Sequence, residues 1–225
     1  MGRQVLHQIG TMGSPRNQTP FDVQRPMKTA RTLLLPALLT CLALLSACSP
    51  SGSSSPATSA TAPPFTADQA YSTVASEGKG FTVGTLMAAN AVYVLFDPQC
   101  PHCGHLWNAS VPLQNKVKFV WLPVSLMGAK SLPQGAALMQ ASDPAAAMTQ
   151  HEQALLAGRG GMSASASVPE AVETSIRANT VLLERLGAES VPFIVARHAQ
   201  SGQTVTHAGA LGTPELARLI GLQSP

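Results

Sequence analysis

Ala91-Val92-Tyr93-Val94-Leu95-Phe96-Asp97-Pro98-Gln99-Cys100-Pro101-His102-Cys103 is the stretch on which the fold turns. Its first six residues form a continuous apolar run rich in β-formers, as expected of a strand buried on both faces. Asp97-Pro98-Gln99 breaks that run, and Cys100 opens a helix continuing through Leu106 and Trp107 toward Leu113. Pro101 suits the first helical turn, where its missing N–H costs nothing, and Pro112 should end or kink the helix. A second strand, Val117 to Leu122, follows, so the two cysteines sit where a strand gives way to a helix in a βαβ unit. A thiol placed there meets unpaired backbone N–H groups and the positive end of the helix dipole, and both favour the thiolate.

Downstream, the spacing predicts helices over Gln134 to Ala141, from Asp143-Pro144 to Gly158, and over Pro169 to Leu186. The last of these places Val172, Ile176, Val181, Leu182 and Leu186 on one stripe, with Gly187 as its C-cap. A strand pair, Phe193 to Arg197 and Thr204 to His207, turns at Ser201-Gly202. A final helix starts with Thr213 as N-cap and Pro214 as first helical residue, and carries Leu216, Leu219 and Ile220 on its apolar face. Upstream, Phe65 to Asn90 leaves room for one helix and one strand. The expected class is therefore α/β.

The chain has 225 residues, 45% hydrophobic and only 11% charged, with a formal net charge of +3. Five of the fourteen basic residues but one of the eleven acidic ones precede Cys48, leaving nine against ten in the body. A near-neutral body excludes a nucleic-acid-binding domain. The basic excess belongs to a leader. Lys28 and Arg31 form its positive region, and Leu33 to Ala47 its apolar core, which is too short to span a bilayer. Met27 stands where such a signal would begin, so translation is expected to start there. Residues 49–64 are almost entirely Ser, Ala, Thr, Pro and Gly and read as a flexible tether.

Four cysteines sort quickly. Cys41 falls in the apolar core of the leader, Cys48 at its end, and Cys100 and Cys103 remain as one close pair. In an exported chain such a pair is a redox site rather than a disulfide framework. Haem attachment would need His directly after the second cysteine, where Gly104 stands. A structural zinc site would need a second cysteine pair. Two other uses stay open: copper held by Cys100, Cys103 and a histidine, or a fixed disulfide in a redox-inert interaction module.

Two resemblances sharpen this. Leu45-Ser46-Ala47-Cys48 resembles the lipobox of bacterial lipoproteins, which implies cleavage before Cys48 and acylation of that residue. By the sorting habit of enteric lipoproteins, Ser49 rather than Asp after the cysteine favours the outer membrane, with the protein facing the periplasm. The segment Val92 to Cys103 with Trp107, the helical insertion, the Val191-Pro192 turn and Gly209-Ala210-Leu211 before the last helix resemble the thioredoxin fold. Within that fold they resemble the DsbC/DsbG family of periplasmic disulfide interchange proteins, from about residue 90 to 222. The expected layout is a leader at 1–47, a tether at 48–64 and a thioredoxin-like domain with a helical insertion at 65–225.

The resemblance implies roles. Cys100 is the exposed nucleophile, Cys103 resolves the mixed disulfide, and a cationic His102 adds to the stabilisation of the Cys100 thiolate. Pro192 is expected in cis against the cysteines, with Val191 and Pro101 contacting an extended substrate. His105, Trp107 and Asp97 read as packing or surface residues, and His151, His198 and His207 receive no role. No cofactor and no metal is called for. The partners implied are proteins with thiols or disulfides, and a membrane redox protein that recycles the pair. Cys-Pro-His-Cys and Val191 are DsbA-like features, whereas the isomerases favour Thr before the proline. With no room for their dimerisation domain, the expectation is a monomer acting as oxidase or reductase rather than isomerase. Were the Cys100 pKa lowered from ~8.5 to ~5.5, the reduced form would gain roughly 2 kcal/mol at pH 7.

Overall fold

The computed structural model describes residues 65–224. The expected leader, the Cys48 lipidation site and the tether lie outside them. Five strands form one sheet: β1 (Phe81–Gly84), β2 (Ala91–Phe96), β3 (Lys118–Pro123), β4 (Phe193–Arg197) and β5 (Thr204–Ala208). Their order is β1-β3-β2-β4-β5. β2 runs parallel to β3, with Ala91 opposite Lys118 and Phe96 opposite Pro123, and the other pairings are antiparallel. The strand that delivers the cysteines is thus hydrogen-bonded on both sides.

Among the described residues six helices flank the sheet: α1 (Ala67–Glu77), α2 (Pro101–Ser110), α3 (Ser131–Met139), α4 (Pro144–Leu156), α5 (Glu170–Arg185) and α6 (Thr213–Leu219). The two-residue period of each central strand divides the core. Val92, Val94, Phe96, Phe119, Trp121 and Ile194 pack with α2 and α6, while Leu95, Leu122 and Val195 pack with Val74 of α1 and Leu182 of α5. On the α2 side, Trp107 meets Trp121 edge-on at 5.2 Å and Phe96 meets Trp121 at 5.5 Å. Each such pair is worth about 0.5–1.5 kcal/mol beyond its burial.

Several expectations need correction. Val181 is 53% exposed; the inner face of α5 is instead built from Ile176, Asn179, Leu182 and Leu183. Asn179 donates to the carbonyls of Lys79 and Pro123, so a polar residue fastens that helix to the sheet. Thr213 is not the N-cap of α6. Gly212 holds that place, and the Thr213 hydroxyl donates to Ala109 O at 2.9 Å, tying α6 to α2. α2 stops at Ser110 and passes into a 3-10 turn, Val111–Leu113, around Pro112. Gly187 follows α5 with φ +70°, the left-handed conformation that closes a helix.

Candidate active site

Cys100 is the N-cap of α2, with Pro101 as first helical residue. It is reached from the end of β2 through Asp97-Pro98-Gln99, and that loop is firmly held. Asp97 is fully buried. Its Oδ1 accepts from Gln99 N at 2.8 Å and Ser131 Oγ at 2.7 Å, and its Oδ2 from the N–H groups of Leu126 and Met127. Asp97 therefore joins the ends of β2 and β3 and the start of α3, which is a framework role.

The two cysteines are free thiols in this structure. Cys103 is fully buried one turn inside α2, and Cys100 is only 3% exposed, far less open than the family resemblance implied. Cys100 Sγ lies 3.6 Å from Val191 O, and the Val191-Pro192 peptide beside it is cis. The Cys100 pKa is lowered to about 6. The foremost cause is the Cys103 thiol donating to it, followed among the lowering effects by the N–H groups of Cys103 and His102, with burial opposing. The His102 charge is the least of these effects, and its side chain is exposed. Cys103 is pushed well above the ordinary thiol range, first by burial and then by the Cys100 sulfur it serves. One thiol is thus prepared to ionise while the other keeps its proton.

Sequence reasoning missed Glu152. It is fully buried on α4, and neither carboxyl oxygen has a hydrogen-bond partner among the described residues. Burial, then the Cys100 charge, raises its pKa to about 9. Its Oε2 lies 2.5 Å from where a Cβ on Gly104 would stand, so it sits against α2 directly beside Cys103. Only glycine at 104 leaves this space. A signal existed: Glu152 stands four residues after Met148, on the same helical face as that apolar residue.

His151, left without a role, is also buried. Its Nε2 is 2.7 Å from Pro98 O, and its Nδ1 accepts from Met162 N at 3.1 Å. These partners require a neutral ring with the proton on Nε2, and burial lowers the pKa accordingly. His151 ties α4 to the loop that carries Cys100. Trp107 is core, its Nε1 donating to Thr149 Oγ1. His102 and His105 lie side by side with ring centroids 6.4 Å apart. Among the described residues no three His, Cys, Asp or Glu side chains converge as a metal site would need.

The catalytic domain of Proteus mirabilis ScsC superposes with a TM-score of 0.53 over 68% of this chain and 95% of that one, at 16% identity. The thiol-disulfide exchange protein α-DsbA2 of Wolbachia pipientis gives 0.51 over 68% and 95%, at 17% identity. The chain has the thioredoxin fold. In sequence it is similar to the thiol:disulfide interchange protein DsbG of Pseudomonas aeruginosa, 31% identical over 140 residues, which is 61% of this chain and 54% of that protein. The chain spans about half the length of the curated relatives it matches. No protein-family profile matches it. On the thioredoxin fold the cysteines fall after the second strand of the sheet, next to the cis-proline turn, with α3–α5 inserted beyond β3. No helix of the described residues is long and apolar enough to cross a membrane.

Proposed function

We propose that this protein is a periplasmic thiol-disulfide oxidoreductase acting on protein substrates, with Cys100 as nucleophile and Cys103 as resolving residue. The observation that carries this is geometric: two free thiols at one helix tip, Cys100 as N-cap of α2 and Cys103 buried one turn inside, with Cys100 Sγ 3.6 Å from the carbonyl of the cis Val191-Pro192 peptide; the lowering of Cys100 and raising of Cys103 agree with it. The Cys100 thiolate attacks one sulfur of a substrate disulfide, a new S–S bond forms, and the other substrate sulfur leaves as thiolate. Cys103 then loses its proton and attacks Cys100 Sγ, closing the Cys100–Cys103 disulfide and expelling the second substrate thiolate. Two electrons pass from the pair to the substrate, and the reverse sequence oxidises a dithiol.

Glu152 supplies a destination for the Cys103 proton. While Cys100 is a thiolate, its charge helps keep Glu152 protonated. Formation of the mixed disulfide removes that charge, so the carboxyl ionises more readily: once it has released its own proton to solvent, the carboxylate accepts the Cys103 proton as Cys103 attacks. Val191 O and Pro192 border the sulfur and, with Pro101, form the ground on which an extended substrate lies. The N-terminal expectations belong to the same proposal: a leader to residue 47, acylation at Cys48 holding the protein at the outer membrane, a tether to residue 64, and a monomeric redox domain. A membrane redox protein would recycle the pair.

Trapping tests the assignment. Cys103→Ala should accumulate mixed disulfides with substrate proteins, and Cys100→Ala should accumulate none. Equal trapping by both variants would overturn the roles. Metal stoichiometry on the reduced protein separates this function from copper delivery.

A further inference from the structure

Beyond the carboxyl ends of the parallel strands β2 and β3, where open α/β sheets commonly take their ligands, lies a pocket of about 280 Å³. Lys130 and Arg159 line it, together with Gln134, Gly160, Gly161 and Ser163, and no carboxylate does. Neither cation forms an ion pair among the described residues, whose salt bridges are Arg177–Glu173 and Arg185–Glu77. Lys130 Nζ lies 3.3 Å from where a Cβ on Gly160 would be, so the ammonium rests against the glycine loop. Gly160 and Gly161 have φ of +76° and +79°, and their N–H groups donate to no backbone carbonyl among the described residues. A Cβ on Gly161 would come within 2.4 Å of the His151 ring, which keeps that loop close to the site.

The pocket wall and the nucleophile's loop are one hydrogen-bonded unit. Gln99, immediately before Cys100, donates its amide to Gly160 O at 3.1 Å and to Gln134 Oε1. Gln134 donates in turn to Gly160 O at 2.9 Å and Met162 O at 2.7 Å. The residue before Cys100 is thus bonded directly to the wall of a pocket whose two cations, Lys130 and Arg159, are unpaired among the described residues.

We propose that this pocket is a carboxylate subsite, which takes an acidic side chain of the protein substrate a few residues from the attacked cysteine. This rests on the thiol-disulfide exchange reading above and deepens it to a class of substrate. Two cations at solvent-exposed separation favour an anion modestly, enough for about a five-fold rate preference at low salt.

The test uses two matched peptide disulfides differing only by Glu or Gln near the cysteine, with the rate of mixed-disulfide formation measured on the reduced full-length protein. The Glu peptide should react about five-fold faster in dilute buffer, and the advantage should shrink as added salt screens the charges. In the double variant Lys130→Gln/Arg159→Gln the Glu-to-Gln ratio should fall toward one. Lys116→Gln, at the opposite end of β3, should keep the ratio. Equal rates for the two peptides with the unmodified protein, or an unchanged ratio in the double variant, would overturn the subsite. If neither peptide reacts, the exchange reading fails. The subsite is then decided by binding of the same labelled peptides to Cys100→Ala protein, where Glu must still bind more tightly than Gln.

Discussion

Replacing Glu152 with glutamine should reshape how stability depends on pH. The carboxyl titrates near 9 in the folded protein against an ordinary value of 4.5. A raised carboxyl pKa leaves folding unpenalised below 4.5, costs progressively more as pH rises, and stops costing more above about 9. Each pH unit inside that window is worth ~1.36 kcal/mol, so between pH 5 and 7.5 the penalty grows by about 3 kcal/mol. Against a typical total of about 5–15 kcal/mol this is a large share. Glutamine keeps the shape and removes the titration. Its unpaired amide carries a cost of its own, about 1–3 kcal/mol, but that cost does not vary with pH and drops out of the slope. Urea unfolding of both proteins, reduced, at pH 5, 6, 7 and 7.5 gives the difference directly, since Cys100 is common to both. The variant should gain on the parent by about 3 kcal/mol across the range. Parallel stability profiles would refute the reasoning, because they would mean that the carboxyl finds water or a partner and ionises normally.

Gly104→Ala should destabilise by about 1–3 kcal/mol through its clash with the Glu152 carboxyl. Combined with Glu152→Ala it should cost measurably less by thermal melting, and strict additivity would dismiss the contact. His151 is held neutral below its ordinary pKa, so protonation opposes folding and the parent should lose more stability than His151→Gln as pH drops below 6.5. Equal losses would show that the ring is not constrained. A depressed thiol pKa stabilises the reduced protein above pH 6 and not below. With Cys100 at about 6, the gain at pH 7 is at most ~1.4 kcal/mol, or ~30 mV toward an oxidant, and solvent screening lowers it further. The reduced form should melt higher than the oxidised form at pH 7, and the gap should narrow at pH 4.5. A higher-melting oxidised form would favour a reductase.

The strand, the helix tip and the cysteine pair were legible because their signals are local: an unbroken apolar run, a proline at the first helical position, and two thiols three residues apart. Val181 misled because Leu182 and Leu183 on its far side already fill the buried face of α5. The polar residues that hold the site were illegible for a different reason. Asp97 reaches Ser131, 34 positions on, His151 reaches Pro98 across 53, and Gln99 reaches Gly160 across 61. A buried polar group is stable only with a partner, and nothing in the local sequence names a partner so far away. The α4 carboxyl was harder still, having no partner among the described residues to betray it.

The contact between the Cys100 sulfur and the Val191 carbonyl, 3.6 Å apart, has a consequence for timing. A thiol is a donor only while it keeps its hydrogen. As long as it does, the sulfur and that carbonyl occupy each other, and the tip of α2 is latched to the turn before β4. In the proposed exchange reaction, loss of the proton creates the attacking thiolate and in the same instant frees the carbonyl to accept a bond from an arriving strand. Activation and unlatching are one ionisation. On that reading the Val191 carbonyl is occupied in the resting thiol and free in the thiolate that attacks.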